Sequence, residues 1–184
     1  KIESLNDLVD VEQEISLAVD ADGHAHVLYM RHYDEYENLT YSTNAGGSWT
    51  SEIIGPKVTG EYNDIFIDQN GVVHIAYTQS DESWNSKVLM YVNNSGGNWN
   101  SPVVVDGNAG EVGMYCSLVV SSRGYIYIAY QAEAGTDRFL RLAQKPTSGG
   151  WMISDLDNGG GVYKPGYHAS LAVFGDEIHV SYFD

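Results

Sequence analysis

The chain has 184 residues, among them 20 glycines and 14 tyrosines, and its 9 Lys and Arg against 25 Asp and Glu leave a formal charge of −16. Such a charge repels phosphate backbones and anionic lipid, which sets nucleic acid and membrane surfaces aside and leaves neutral sugars, peptides and cations as partners. The single cysteine, Cys116, excludes an internal disulfide, no apolar run approaches the ~20 residues of a membrane span, and the opening KIESLNDLVD lacks the apolar core of a signal peptide.

Taken in chain order, the elements repeat. Residues 1–10 align with the later MISDLDN and read as the fourth strand (D) of a preceding unit. A short alternating strand A, ISLAVD, follows, then a Gly-marked hairpin turn and strand B, HAHVLYM. After a polar stretch come strand C, LTYS, a turn rich in Asn and Gly, and strand D, WTSEII. SLAVDADGHAHVLY recurs as DIFIDQNGVVHIAY, SLVVSSRGYIYIAY and SLAVFGDEIHVSY, with a period of 48 to 53 residues. His26, His74, Tyr127 and His179 fill one column, and Tyr29, Tyr77, Tyr130 and Tyr182 another. NLTYSTNAGGSW matches VLMYVNNSGGNW and, loosely, FLRLAQKPTSGGW, which aligns Trp49, Trp99 and Trp151.

Four antiparallel strands at this period define the blade of an all-β propeller. The expected divisions are 1–10 (strand D of a preceding blade), 11–57, 58–107 and 108–158 (three blades), and 159–184 (strands A and B of a fourth), about 3.5 to 4 blades within one domain. Unpaired strand edges are aggregation sites, so a ring must close. The expectation is closure by a longer chain or by self-association rather than by this chain alone.

STNAGGSW resembles the Asp-box, the S-x-D-x-G-x-x-W turn of sialidases and their relatives, with Asn44 and Asn94 in place of the Asp. The repeats as a whole resemble the BNR/Asp-box-like repeats of bacterial β-propellers, a group that includes sialidases, other glycoside hydrolases, lectins and extracellular proteins of no assigned role. The resemblance implies a structural turn, with Asn44 and Asn94 tying the turn's own amides and Trp49, Trp99 and Trp151 packing between blades. It also implies an extracellular or cell-surface location.

Loop lengths point to the binding face. The A–B and C–D turns keep nearly constant length, whereas the D–A spacings grow from fifteen to nineteen residues and the B–C stretches RHYDEYEN, TQSDESWNSK and QAEAGTDR differ in composition. Variable loops on a rigid scaffold carry function. The candidate ligand-binding residues are Arg31, His32, Tyr33, Tyr36, Tyr62, Trp84, Tyr115, Arg138, Tyr163, Tyr167 and His168, beside the carboxylates Asp34, Glu35, Glu61, Asp81, Glu82, Glu111, Glu133 and Asp137. Aromatic rings stack on the C–H faces of sugars while their polar tips stay hydrated.

These features suggest a non-catalytic module binding carbohydrate or peptide. The alternatives are a sialidase-like glycoside hydrolase and a purely structural repeat segment. A sialidase needs three clustered arginines, but Arg123 falls in an A–B turn and Arg141 within strand C. Carboxylate pairs of the kind a glycosidase needs are too common here to be informative. No metal or cofactor is expected. DADG (20–23) reads as a hairpin turn rather than a calcium loop, His24 as solvated, and His26, His74 and His179 as buried histidines bonded to backbone. Nothing near Cys116 marks it as a nucleophile.

Overall fold

The computed structural model describes residues 15–33, 36–55, 59–81, 86–107, 110–161, 163–175 and 177–184, and at 32, 33, 36, 59 and 60 the backbone alone. The strand expected over 1–10 lies outside the described residues, as do Trp84, Asp34, Glu35 and Glu82. The protein is all-β. Strands β1 (Ser16–Val19), β2 (Ala25–Tyr33), β3 (Tyr36–Thr43) and β4 (Thr50–Ile53) form one antiparallel sheet in chain order. β5 (Thr59–Ile67), β6 (Val73–Ser80), β7 (Lys87–Asn93) and β8 (Val103–Asp106) form the second. β9 (Val112–Val120), β10 (Ile126–Ala134), β11 (Asp137–Lys145) and β12 (Met152–Asp157) form the third. β13 (Tyr167–Phe174) and β14 (Glu177–Phe183) pair as a fourth, two-stranded sheet after a single 3-10 turn at Gly159–Gly161. No helix among the described residues is long and apolar enough to cross a membrane.

The first hairpins of three sheets are closed by one device. Asp20 Oδ1 accepts from the amides of Asp22 (3.0 Å) and His24 (2.8 Å), and Asp68 Oδ1 from those of Asn70 (2.8 Å) and Val72 (2.9 Å). Ser121 Oγ accepts from Tyr125 N at 3.1 Å in the third. DADG is thus a side-chain-stapled hairpin turn. The Asp-box-like turns hold differently from expectation. Asn44 Oδ1 reaches across to Ala25 N, and Asn94 Oδ1 to Val73 N, both at 2.8 Å. The turn's own amides are instead held by the preceding residue, Thr43 Oγ1 on Ala45 N and Asn93 Oδ1 on Ser95 N. The asparagines therefore lock the C–D turn to the start of strand B, which the β2–β3 and β6–β7 registers place alongside.

Consecutive sheets stack face to face. Leu28, Leu39 and Tyr41 pack with Ile65, Val73, Ile75 and Tyr77; Ala76, Leu89 and Tyr91 pack with Leu118, Ile128 and Tyr130; Val119, Tyr127 and Leu140 pack with Leu171. Strand β6 is covered on both faces, so it reads VHIAYTQS without clean alternation. The first strands of neighbouring sheets are stitched at one repeated position. Ser16 Oγ donates to Asn63 O (2.8 Å), Asp64 Oδ2 accepts from Leu118 N (2.7 Å), and Ser117 Oγ accepts from Leu171 N (3.1 Å). Burial pushes the Asp64 carboxyl above its ordinary range, against the amides of Leu118 and Ile65.

Among the described residues, nothing covers one face of each of the two outer sheets. Leu17 is 62% exposed, whereas its counterparts Ile65, Leu118 and Leu171 are 5%, 2% and 9% exposed. On the opposite side of the stack, Phe174 is 80% exposed and the β13–β14 face carrying Ser170, Ala172 and His179 is open.

The histidine column is corrected in two respects. His26 and His74 are buried, but their partners are side chains. His26 Nδ1 meets Tyr41 OH (2.6 Å) and its Nε2 meets Asp20 Oδ2 (3.3 Å); His74 Nδ1 meets Tyr91 OH (2.6 Å) and its Nε2 faces Asp68 Oδ2 (3.5 Å). Because a carboxylate only accepts, Nε2 carries the proton and Nδ1 accepts from the phenol. The relay continues into the next sheet. Trp99 packs edge-on against Tyr41 (5.1 Å) and donates to Glu52 (2.6 Å), and Trp151 packs edge-on against Tyr91 (5.3 Å). Ser121, Tyr127 and Leu142 replace Asp, His and Tyr in the third sheet. His179 is exposed, because no third strand lies beside β14 among the described residues.

This relay predicts an acid-sensitive stability. Burial lowers the His74 pKa below 6.5 against the pull of Asp68, so the folded state resists a proton the unfolded chain accepts. Desolvation opposes the charge on Asp20 and Asp68, yet bonds from His24 and His26 to the first, and bonds from Val72 and Asn70 with the facing His74 at the second, hold both carboxyls below the usual 3.8. Stability should decline as pH falls through 6.5, decline again below 3.8 as the unfolded chain's carboxylates take up protons, and decline above 10.0, where the unfolded chain's phenols ionise and the buried Tyr77, Tyr91 and Tyr130 resist it. Urea midpoints across pH test this. His74→Gln should remove the step at 6.5 and leave the one below 3.8.

Candidate functional site

The residues expected in loops at one end of the sheets are largely in strands. The β2–β3 ladder runs out to Tyr33 opposite Tyr36, so Arg31, His32, Tyr33 and Tyr36 belong to a hairpin. The β10–β11 ladder pairs Glu133 with Arg138 and leaves a two-residue turn at Gly135 and Thr136. Tyr62, Tyr115, Tyr167 and His168 lie in β5, β9 and β13. Polar residues at a strand's exposed end break the alternation that marks a strand in sequence, which is why these segments read as loops.

A register shift falls near the start of each of β5, β9 and β13. It brings one repeated column together. Tyr62 meets Tyr115 with ring centroids 4.7 Å apart, and Tyr115 meets His168 at 4.7 Å and Tyr167 at 5.2 Å. The line of rings thus crosses from the second sheet to the fourth. Tyr115 (φ 51°) and His168 (φ 49°) adopt the left-handed region, which disfavours a side chain by about 1–2 kcal/mol per residue. Strain of this kind concentrates at binding and catalytic sites.

Two ion pairs flank the rings. Lys87 Nζ lies 2.9 Å from Glu61 and 3.6 Å from Glu111, and 5.6 Å from the Tyr62 ring centre. Burial lowers the ammonium's pKa, but the two carboxylates raise it further, above its ordinary value. Arg138 Nη2 meets Glu133 at 2.5 Å, its Nη1 donates to Tyr167 OH, and its guanidinium lies 5.3 Å from the Tyr167 ring centre. Five of the expected residues, Tyr62, Tyr115, Arg138, Tyr167 and His168, therefore converge with Glu61, Glu111 and Glu133. Tyr163 is exposed beyond the 3-10 turn and stands outside the ring contacts of the described residues.

A repeated glycine escaped the sequence reading. Gly60, Gly113 and Gly166 each precede the ring column by two residues. Gly113 (φ 95°) and Gly166 (φ 100°) lie against the preceding sheet, where a Cβ would meet Thr78 and Leu89, or Gln131. The pattern Gly-x-Tyr/His-x-Ser/Asp was present in the sequence, but only as three short matches.

The other arginines serve elsewhere. Arg123 lies in the β9–β10 turn at the opposite end, and Arg141 pairs with Asp106 (3.1 Å) and Asp155 (2.7 Å). Cys116 is buried, near Ala76 O. Asp20, Asp22 and His24 offer ligand atoms within 4.8 Å of one another, but the partly exposed His24 is also bonded to Asp20 (2.9 Å), and a cation would have to displace it. Small clefts open among the described residues. One of about 230 Å³ is lined by Tyr41, Thr50, Ser51 and Glu52; one of about 160 Å³ is lined by Asp137, Phe139, Asn158, Gly160 and Gly161, beginning one residue from Arg138.

No family model matches the chain, and no curated protein matches it. Solved structures share its fold. A protein of unknown function from Dyadobacter fermentans has a TM-score of 0.63 at 15% identity, over 92% of this chain and 56% of its own. A polysaccharide lyase has a TM-score of 0.59 at 9% identity, over 88% of this chain and 43% of its own. A fucose lectin from Kordia zhangzhouensis, solved with methyl-fucoside, has a TM-score of 0.52 at 12% identity, over 79% of this chain and 99% of its own. The chain therefore spans about half the length of the first two. At these identities the likeness concerns the fold: stacked antiparallel sheets, present in both carbohydrate-binding and carbohydrate-cleaving proteins.

Proposed function

We propose that this chain is a carbohydrate-binding segment of an extracellular or cell-surface β-propeller, with the sheets as its blades. The observation that carries the binding assignment is the line Tyr62–Tyr115–His168, rings from three successive sheets at one end of the stack, with Tyr115 and His168 on strained backbone. Aromatic surface flanked by carboxylates suits sugar C–H faces and hydroxyls. The lectin and lyase among its structural neighbours support carbohydrate as the ligand class. The sialidase-like alternative finds less support, since Arg141 and Arg123 lie away from Arg138.

Glycan-array binding tests the reading, with Tyr115→Ala as the decisive variant. Removing the central ring should weaken binding about ten-fold, equivalent to roughly 1.4 kcal/mol of stacking. Unchanged binding by a folded Tyr115→Ala protein would remove the ring line from the site.

The propeller assignment rests on the stitched first strands and on the two bare faces, which repeat the surfaces buried inside the stack. We propose that further sheets cover them, from a longer chain or from a second copy. The isolated 184-residue chain should accordingly self-associate or bind a hydrophobic dye, and Leu17→Asp with Phe174→Asp should suppress both. A monomer by light scattering with no dye binding would overturn the proposal.

A further inference from the structure

We propose that the ring site selects neutral glycans and rejects uronate-bearing ones, an inference that rests on the carbohydrate reading above. A sugar carboxylate is recognised by a cation with open donors, most effectively the bidentate face of an arginine. Here both inward cations already have partners. The Arg138 charge is compensated by Glu133 on Nη2 while Tyr167 OH takes an Nη1 donor, and Lys87 is held between Glu61 and Glu111. Within the cluster three carboxylates face two cations. Beyond it, among the described residues, Asp137 lies at the β10–β11 turn and Lys164 on the segment before β13. An incoming uronate would have to displace Glu133 or Glu61 while facing the carboxylate it displaced, in the field of a chain of charge −16. A neutral sugar keeps both ion pairs and offers its hydroxyls to the carboxylate oxygens. Glu133 is thus a specificity-determining residue, because it occupies the arginine that would otherwise bind an acidic sugar.

The test uses oligosaccharide pairs that differ only at C6: galactose against galacturonate oligomers, glucose against glucuronate oligomers, and the methyl esters of both uronates. The wild-type chain should bind at least one neutral oligomer, bind its uronate partner at least ten-fold more weakly, and recover binding with the neutral methyl ester. Glu133→Gln keeps the side chain's shape while freeing the guanidinium, and should tighten uronate binding and raise the ratio of uronate to neutral-oligomer affinity about ten-fold. Equal or tighter wild-type binding of the uronate would overturn the inference and leave carbohydrate binding standing. So would a folded Glu133→Gln protein whose uronate affinity is unchanged. Silence toward all members of every pair, with folding confirmed by circular dichroism, would instead overturn the carbohydrate reading and this inference with it.

Discussion

Arg141→Met should destabilise the protein by about 3–5 kcal/mol, the usual consequence of leaving a buried charge without its partner. The charge in question is Asp106, at the end of β8, whose side chain is 1% exposed. It accepts from Tyr130 OH at 2.7 Å and pairs with Arg141 Nη1 at 3.1 Å, both donated by the third sheet, while Arg141 Nε holds Asp155 at 2.7 Å. Burial opposes the charge on Arg141, but Asp155 and Asp106 raise its pKa above the ordinary value; burial and Asp106 together push the Tyr130 phenol far above its own. The carboxylate would keep Tyr130 OH but lose its cation at a closed position, so the penalty falls on the junction between the second and third sheets. The control is Arg141→Met combined with Asp106→Leu. Removing both charges should restore most of the stability, since a buried pair contributes little net over an apolar replacement. Urea denaturation of the single and double variants measures both effects. A single-variant loss below about 1 kcal/mol would show the pair to be solvent-screened.

Gly113→Ala is the second large effect, expected at about 2–4 kcal/mol from left-handed backbone and overpacking combined. Its φ is 95°, and a Cβ would stand 2.9 Å from Thr78 Cγ2 and 3.1 Å from Leu89 Cα. Leu89 Cα is backbone in the middle of a sheet and cannot move aside alone. Gly71→Ala is the matched control, with φ 76° but nothing within 4 Å of the added carbon. It should cost only about 1–2 kcal/mol, so the difference isolates the close approach of β9 to the second sheet. Because Gly113 precedes Tyr115 by two residues, the same substitution should also displace the central ring and weaken glycan binding, whereas Gly71→Ala should not. Equal destabilisation by the two alanines would show that β9 shifts at no cost and that the glycine serves its φ alone.

Much of this architecture was legible in the repeat. Four strands per unit, a Gly-marked hairpin and a turn followed by Trp are local patterns, and local patterns survive in sequence. Trp99 and Trp151 do pack between sheets, against Tyr41 and Tyr91. The ligand-face residues were legible only in part. Tyr62, Tyr115, Tyr167, His168 and Arg138 came into view as aromatics and cations in variable stretches, yet the column shared by Tyr62, Tyr115 and His168, though present in the repeat, does not show that the rings touch or that Arg138 is held by Glu133.

Among the described residues, the sequence by itself determined the order and antiparallel pairing of the strands, because hairpin turns and short-range periodicity depend on residues a few positions apart. Tertiary structure decided which histidines are buried, since His26 and His74 are covered by a neighbouring strand and His179 is not. It decided that Asn44 and Asn94 bind the opposite hairpin rather than their own turn, and that Asp106 and Arg141 meet across sheets. It also decided the charge of the site. Whether a lysine or arginine is available to an acidic ligand depends on the carboxylate that packing places beside it, and Lys87 and Glu111 are brought together by the stacking of separate sheets.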